Sequence, residues 1–210
     1  MWKTVALLTA ILAPGVCYGA TLNGAPTANN GSGGIFMELT AAGSEVTLTG
    51  FELFFGAGEP ASASVEVYTR PGTYIGFTGD STGWTLAETA SASTVDSLTL
   101  ASLTLSSGIA IGAGDTLSVY LHSITAGNGI RYNGTSGAPP TTTWSNGDLS
   151  MFSDSGMTGS TAFGGTLFSP RTLAGNVIYA VGGAEIPEPG TVTMLGMGLA
   201  GLVWLRRRSG

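Results

Sequence analysis

Thr116-Leu117-Ser118-Val119-Tyr120-Leu121-His122-Ser123-Ile124 is the stretch that decides the fold class. Its apolar residues Leu117, Val119 and Leu121 alternate with other side chains, so they share one face of an extended strand. His122 falls on the opposite face, where a solvated or sheet-edge environment is expected. Gly112-Ala113-Gly114-Asp115, just upstream, has the small and polar composition of a turn. A helix would need apolar residues spaced three and four apart, and no window of a dozen residues shows that spacing.

The same period of two recurs on both sides of this strand. It is present in Ile35–Leu39, Val46–Phe55, Ser64–Tyr68, Trp84–Thr89, Leu98–Leu105, Asp148–Phe152 and Leu173–Ala180. Gly, Ser, Asn and Asp clusters separate these segments. Many short strands at this spacing predict an all-β domain, an antiparallel β-sandwich of jelly-roll type. A β-helix would require a fixed repeat period, and none is found. Within Val46–Phe55 the apolar positions are 46 and 48, then 51, 53 and 55. The phase flips at Gly50, which predicts a bulge there, because a one-residue slip otherwise turns every later side chain to the wrong face.

Composition narrows the function. Charged residues make up 10% of the 210-residue chain, and 34 residues are glycine. An ordinary soluble domain carries about 25% charged residues. Only 7 Lys and Arg stand against 13 Asp and Glu. So few cations cannot neutralise a phosphate backbone, which excludes nucleic acid as a partner. A single Cys and a single His exclude a disulfide framework and a zinc centre.

The two ends differ from the body. Residues 1–19 have the form of a secretory signal peptide: Lys3, an apolar run from Val5 to Val16, then Cys17-Tyr18-Gly19. Small residues at 17 and 19 place the signal peptidase cut between Gly19 and Ala20, with a cut after Ala20 as the neighbouring option. A lipidated Cys17 would need a small residue before it, and Val16 stands there.

At the other end, Pro187-Glu188-Pro189 precedes an uncharged run of 16 residues from Gly190 to Leu205, followed by Arg206-Arg207-Arg208. As a helix that run would rise about 24 Å, a little less than the ~30 Å hydrocarbon core. Snorkelling arginines can cover the difference. Arg206, Arg207 and Arg208 would stop transfer and hold that end in the cytoplasm. The prolines keep the preceding chain extended, as a protease cleft requires. This order resembles the PEP-CTERM sorting signal of Gram-negative bacteria that make exopolysaccharide. The resemblance implies recognition by exosortase, a membrane transpeptidase-like enzyme, and a cut near Pro187-Glu188-Pro189. It also implies transient anchoring in the inner membrane before delivery to the cell surface or extracellular matrix. A chain kept from Ala20 to about Pro189 would carry Arg70, Arg131 and Arg171 against 13 acids, a net charge of −10.

The expected organisation is therefore a signal peptide (1–19), a secreted β-sandwich domain (20–183) and a sorting tail (184–210). The body resembles a secreted β-sandwich domain that recurs in bacterial surface proteins with interchangeable C-terminal anchors. Val65 to Gly76, Trp84-Thr85-Leu86, Ile109 to Thr116 and Phe163-Gly164-Gly165 carry that likeness. It implies a secreted, anchored module and no particular activity.

Candidate chemistry within the body is sparse. Gly79-Asp80-Ser81-Thr82-Gly83 matches the pattern of a serine nucleophile elbow, but that motif works on a strand-to-helix turn beside a base. Here it lies in a Gly-rich loop between β segments, and the only histidine is His122. Glu52 and Glu66 sit at outward strand positions, as solubilising residues do, and no acid pair is marked out for glycoside hydrolysis. Asn146, Asp148, Asp154 and Asp80 lie in polar loops that suit Asx-turns. They are also the one set of oxygen ligands that could serve a structural calcium. Tyr74 and Trp84 are expected in the core. Phe77, Tyr132 and Trp144 lie in or beside loops. Trp144 is the candidate ligand contact, weighed against a role as a loop anchor. Asn133-Gly134-Thr135 is a glycosylation sequon, silent in a bacterial setting. The expected function is that of a non-enzymatic exported surface or matrix protein. A carbohydrate-binding module of the exopolysaccharide is the alternative, and a carboxylate hydrolase comes third.

Overall fold

The computed structural model describes residues 18–58, 61–93 and 97–182. The expected leader before Tyr18 and the sorting tail, with its motif, apolar run and arginines, lie outside the described residues. Regular structure is all β among the described residues. The strands are β1 (Tyr18–Asn23), β2 (Asn30–Ala41), β3 (Val46–Leu53), β4 (Ser62–Pro71), β5 (Thr85–Ser93), β6 (Ala101–Ile111) and β7 (Thr116–Ser123). They continue as β8 (Ile130–Asn133), β9 (Thr143–Ser145), β10 (Leu149–Thr158), β11 (Leu167–Phe168), β12 (Thr172–Leu173) and β13 (Gly175–Val181).

All paired strands are antiparallel, in the order β1-β13-β3-β6-β5-β4-β7-β2-β10. Beyond β10 lie β9 and β11, and β8 bridges β2 to β12. This is one sheet curled over on itself. The fold line is between β5 and β6, which share only the pair Ala92 and Leu103. Across the opposite opening, the Asn146 side-chain amide donates to the Thr21 carbonyl at 3.2 Å, so the β9 side reaches β1.

Hydrophobic alternation explains why the curl is stable. Ile35, Met37 and Leu39 of β2, Val65 and Val67 of β4, and Val119 and Leu121 of β7 point inward from one half. From the other half come Leu48, Phe51 and Leu53 of β3, Leu103 of β6, and Val177 and Tyr179 of β13. All belong to one buried cluster, and the burial of that apolar surface is what holds the halves face to face. The expected all-β antiparallel architecture is thus present, its two layers being halves of a single sheet. The expected break at Gly50 is also present. The register slips between Leu48 and Gly50 against β6, and between Ile178 and Tyr179 against β13.

A second apolar layer lies outside the curl. Phe36 of β2 is paired with Tyr120 of β7, and their rings stack with centroids 3.9 Å apart. Tyr74, Trp84 and Met157 complete a buried group with them, and Phe163 packs on its edge. Two loops, 72–84 and 159–166, supply the roof. Here the sequence reading needs correction: His122 is fully buried rather than solvated. Its face does point away from the main core, but the second loop covers it, and its Nε2 lies 3.2 Å from the Gly159 carbonyl.

Candidate functional site

The expected signal cut falls on the first strand. Gly19 and Ala20 lie in β1, opposite Ala180 and Tyr179 of β13. Gly19 is exposed, whereas Ala20 is half-buried and packs against the main core. β1 and β13 run antiparallel, so Tyr18 faces Val181. The first and last described strands therefore begin and end side by side at one end of the sheet. Next to β13, the Gly182 amide donates to the Glu45 carbonyl at 2.9 Å and closes that end.

Trp144 occupies β9, paired with Met151 of β10. Its ring is half-buried, its Nε1 donates to Thr172 Oγ1 at 3.1 Å, and it packs against both the main core and a small group around Phe54. This is the anchor role, one of the two weighed for it. The most exposed large aromatics among the described residues are instead Phe77 and Phe168, each 39% exposed. Arg70 stacks over Phe77 at 3.5 Å, and Arg171 lies 5.6 Å from the Phe168 ring. Phe77 is among the loop aromatics named from the sequence; Phe168 is not, although Arg171 stands only three residues after it. Tyr74 and Trp84 are in the core as expected, and Tyr132 joins them there.

The polar groups singled out by sequence are occupied by local bonds. Asp80 Oδ1 accepts the Thr82 amide at 2.8 Å, an Asx-turn that holds its carboxyl below the usual range. Ser81 therefore sits in an ordinary turn, its carbonyl accepting the Trp84 amide. The imidazole that a serine nucleophile would need is engaged elsewhere. His122 Nε2 faces Gly159, and Nδ1 lies 3.7 Å from Glu66 Oε2. Burial pushes the His122 pKa down, against the opposing pull of the Gly159 carbonyl and Glu66. A neutral ring donating from Nε2 to the carbonyl fits this surrounding.

The calcium candidates are divided among three places, with Asp80 in its own turn and Asp154 in β10 rather than in a loop. Asn146 Oδ1 accepts the amides of Asp148 and Leu149, and its Nδ2 donates to the Tyr179 hydroxyl at 2.8 Å. Asp154 instead accepts the Tyr74 hydroxyl at 2.7 Å and the Ser155 hydroxyl at 2.6 Å. Burial and the Asp154 carboxylate together push the Tyr74 phenol far up. No group of three or more His, Cys, Asp or Glu able to hold a metal ion occurs among the described residues.

The strand carboxylates also have donors. Glu66 accepts the Tyr68 hydroxyl at 3.0 Å, and Glu52 accepts the Asn176 side-chain amide at 2.6 Å. Glu88 receives the Ser106 amide at 3.1 Å, and Glu38 receives the Thr73 hydroxyl. Glu52 and Glu66 are both partly buried, engaged in side-chain networks rather than free at the surface. One cleft is walled mainly by small residues, whereas another beside β3 and β6 is lined by Phe51, Glu52, Leu103 and Ile178. The first, of about 300 Å³, is lined by Gly31, Gly56, Ser123, Gly127, Gly129 and Gly159, among others.

Comparison with known proteins bears on the tail. Residues 185–208 match the PEP-CTERM protein-sorting motif. The match takes in Pro187, Glu188 and Pro189 at its start and Arg206, Arg207 and Arg208 at its end. No characterised protein shows significant similarity to the chain.

Proposed function

We propose that this chain is a non-enzymatic protein of the bacterial cell surface or extracellular matrix, exported with a leader cut at Gly19–Ala20 and sorted through its tail. The match of residues 185–208 to the PEP-CTERM motif carries the reading. That motif marks an exported protein processed by exosortase. The body supports a passive role through its chemistry. Its histidine is buried and neutral, its loop serine lies in a plain Asx-turn, and its strand carboxylates accept hydrogen bonds from neighbours. A net charge near −10 after processing favours solubility among acidic polymers. Exopolysaccharide is the surrounding in which such a domain would work. Phe77 and Phe168, partly exposed beside Arg70 and Arg171, are the aromatic side chains that could contact it.

Membrane retention before the cut is assigned to the uncharged run, with Arg206 to Arg208 halting its passage. Exosortase then reads the extended Pro187-Glu188-Pro189 at the outer interface. The test is fractionation of wild type, Glu188→Ala and a deletion of Arg206 to Arg208, each with and without exosortase. Glu188→Ala should accumulate as an uncut, membrane-held precursor, and the deletion should lose membrane retention. If all three appear in the medium with identical C-termini, the tail is not a sorting signal.

A further inference from the structure

The first described strand and the last one pair with each other. Among the described residues β1 has no other strand partner: its six residues are matched one to one with Val181 back to Asn176 of β13. The backbone ladder that orders β1 as a strand therefore waits for a segment more than 150 residues later in the chain. Until β13 has crossed the membrane, residues 18–23 have nothing to pair with and remain an open, extended substrate.

Once β13 arrives, the situation reverses. The expected scissile bond, Gly19–Ala20, lies inside the ladder, opposite Ala180 and Tyr179. Ala20 sinks partly into the core. On the outer side of β1, the Thr21 carbonyl accepts the Asn146 side-chain amide at 3.2 Å, so the free edge is engaged beside the bond as well. A protease needs the substrate backbone unpaired and withdrawn from its fold to enter the cleft. The apolar run of the leader ends at Val16, leaving only Cys17 to Gly19 before the cut. Three residues span at most about 10 Å. A closed β1 would hold the whole domain against the membrane surface, with no slack to feed the bond into an active site.

We infer that docking of β13 on β1 closes the Gly19–Ala20 bond to signal peptidase, so that the leader is removable only before the last strand is in place. This rests on the reading of residues 1–19 as a signal peptide. The consequence is a built-in order: N-terminal cleavage comes first, completion of the sheet second. A chain that folded early would stay tethered by its leader.

The experiment uses full-length precursor folded in detergent micelles and then exposed to purified signal peptidase. A precursor ending at Ala174, which lacks β13, serves as the open form. A third precursor keeps residues 18–210 intact but carries a second copy of residues 14–20 and a flexible six-residue spacer upstream of Tyr18, placing a cut site outside the ladder. The expected result is that the full-length precursor is cut at least about tenfold more slowly than the chain ending at Ala174, because cleavage then follows the rare opening of the strand pair. The spacer variant, folded, should be cut at the upstream site as fast as the open form. Equal rates for the full-length and truncated precursors would overturn the inference while leaving the signal peptide intact. Failure of the truncated form to be cut at Gly19 or Ala20 would remove the signal-peptide reading and the inference with it. A folded spacer variant that stays uncut would show that the micelle, not the β1–β13 ladder, limits access.

Discussion

His122 shows how one buried side chain can carry a pH dependence for the whole domain. Its Nε2 meets the Gly159 carbonyl from the roofing loop, Glu66 of β4 faces Nδ1 at 3.7 Å, and Tyr120 lies beside it on β7. Burial dominates and lowers the pKa from its ordinary 6.5. The unfolded chain therefore binds a proton more readily than the folded one. Above about pH 6.5 both states are neutral at this ring and stability does not depend on it. As pH falls below that value, the unfolded state gains protons first and stability declines, levelling off below the folded pKa. Urea unfolding at pH 7.5 and 5.5 should show wild type losing stability on acidification. The His122→Gln variant should lose less over the same interval, and an equal loss in both would show that other groups set the pH response. Alternation correctly put His122 opposite Leu117, Val119 and Leu121. It could not reveal the roof, because loop 159–166 reaches β7 through a contact 37 residues away in sequence.

At the scale of elements, two local features test the account. Gly50 sits where β3 slips against both neighbours, and a Cβ there would meet the Leu103 carbonyl oxygen at 2.6 Å. That obstacle is backbone of the neighbouring strand and cannot rotate away. Gly50→Ala should cost about 1–3 kcal/mol by overpacking, read as a lower urea midpoint with unchanged m-value. Trp144 ties β9 to β10 and to Thr172. Trp144→Ala should lower stability by about 2–4 kcal/mol, somewhat less than a fully buried aromatic would. Trp144→Phe should recover most of the packing but not the hydrogen bond. Unchanged stability in Trp144→Ala together with loss of glycan binding would return this residue to the ligand role.

The long, alternating strands were legible in the sequence because each carries its own hydrophobic face. β1, β8, β9 and β11 were not. They are six residues or fewer and are defined by their partners rather than by pattern. The opening of β2, Asn30-Gly31-Ser32-Gly33-Gly34, reads as a loop. It is strand because it pairs with β7, β8 and β10, and its glycines are needed because the backbone of β10 and the Tyr120 ring approach too closely for a side chain. A Cβ on Gly33 would lie 2.3 Å from the Met157 carbonyl oxygen, and one on Gly34 2.6 Å from a Tyr120 ring carbon.

At the scale of the whole molecule, fold and address are separable. The curled sheet buries a core drawn from both halves, and about 160 residues suffice for a self-standing domain. The tail signal lies in a run of residue types whose order alone is informative, so the candidate sorting site was readable from sequence: Pro187, Glu188 and Pro189, then the uncharged run, then Arg206 to Arg208. A role for the body is less legible in the sequence, since one of its clefts is walled mainly by glycine and small polar residues and Glu52 and Glu66 accept internal hydrogen bonds. The central claim is that both ends are removed and the sheet is what remains. Intact-mass spectrometry of the exported protein, from cells with and without exosortase, tests it most directly. The account predicts an N-terminus at Ala20 or Thr21 in both, with a C-terminus near Pro187–Pro189 only when exosortase is present. Exported protein that keeps Arg206 to Arg208 in exosortase-containing cells would contradict it.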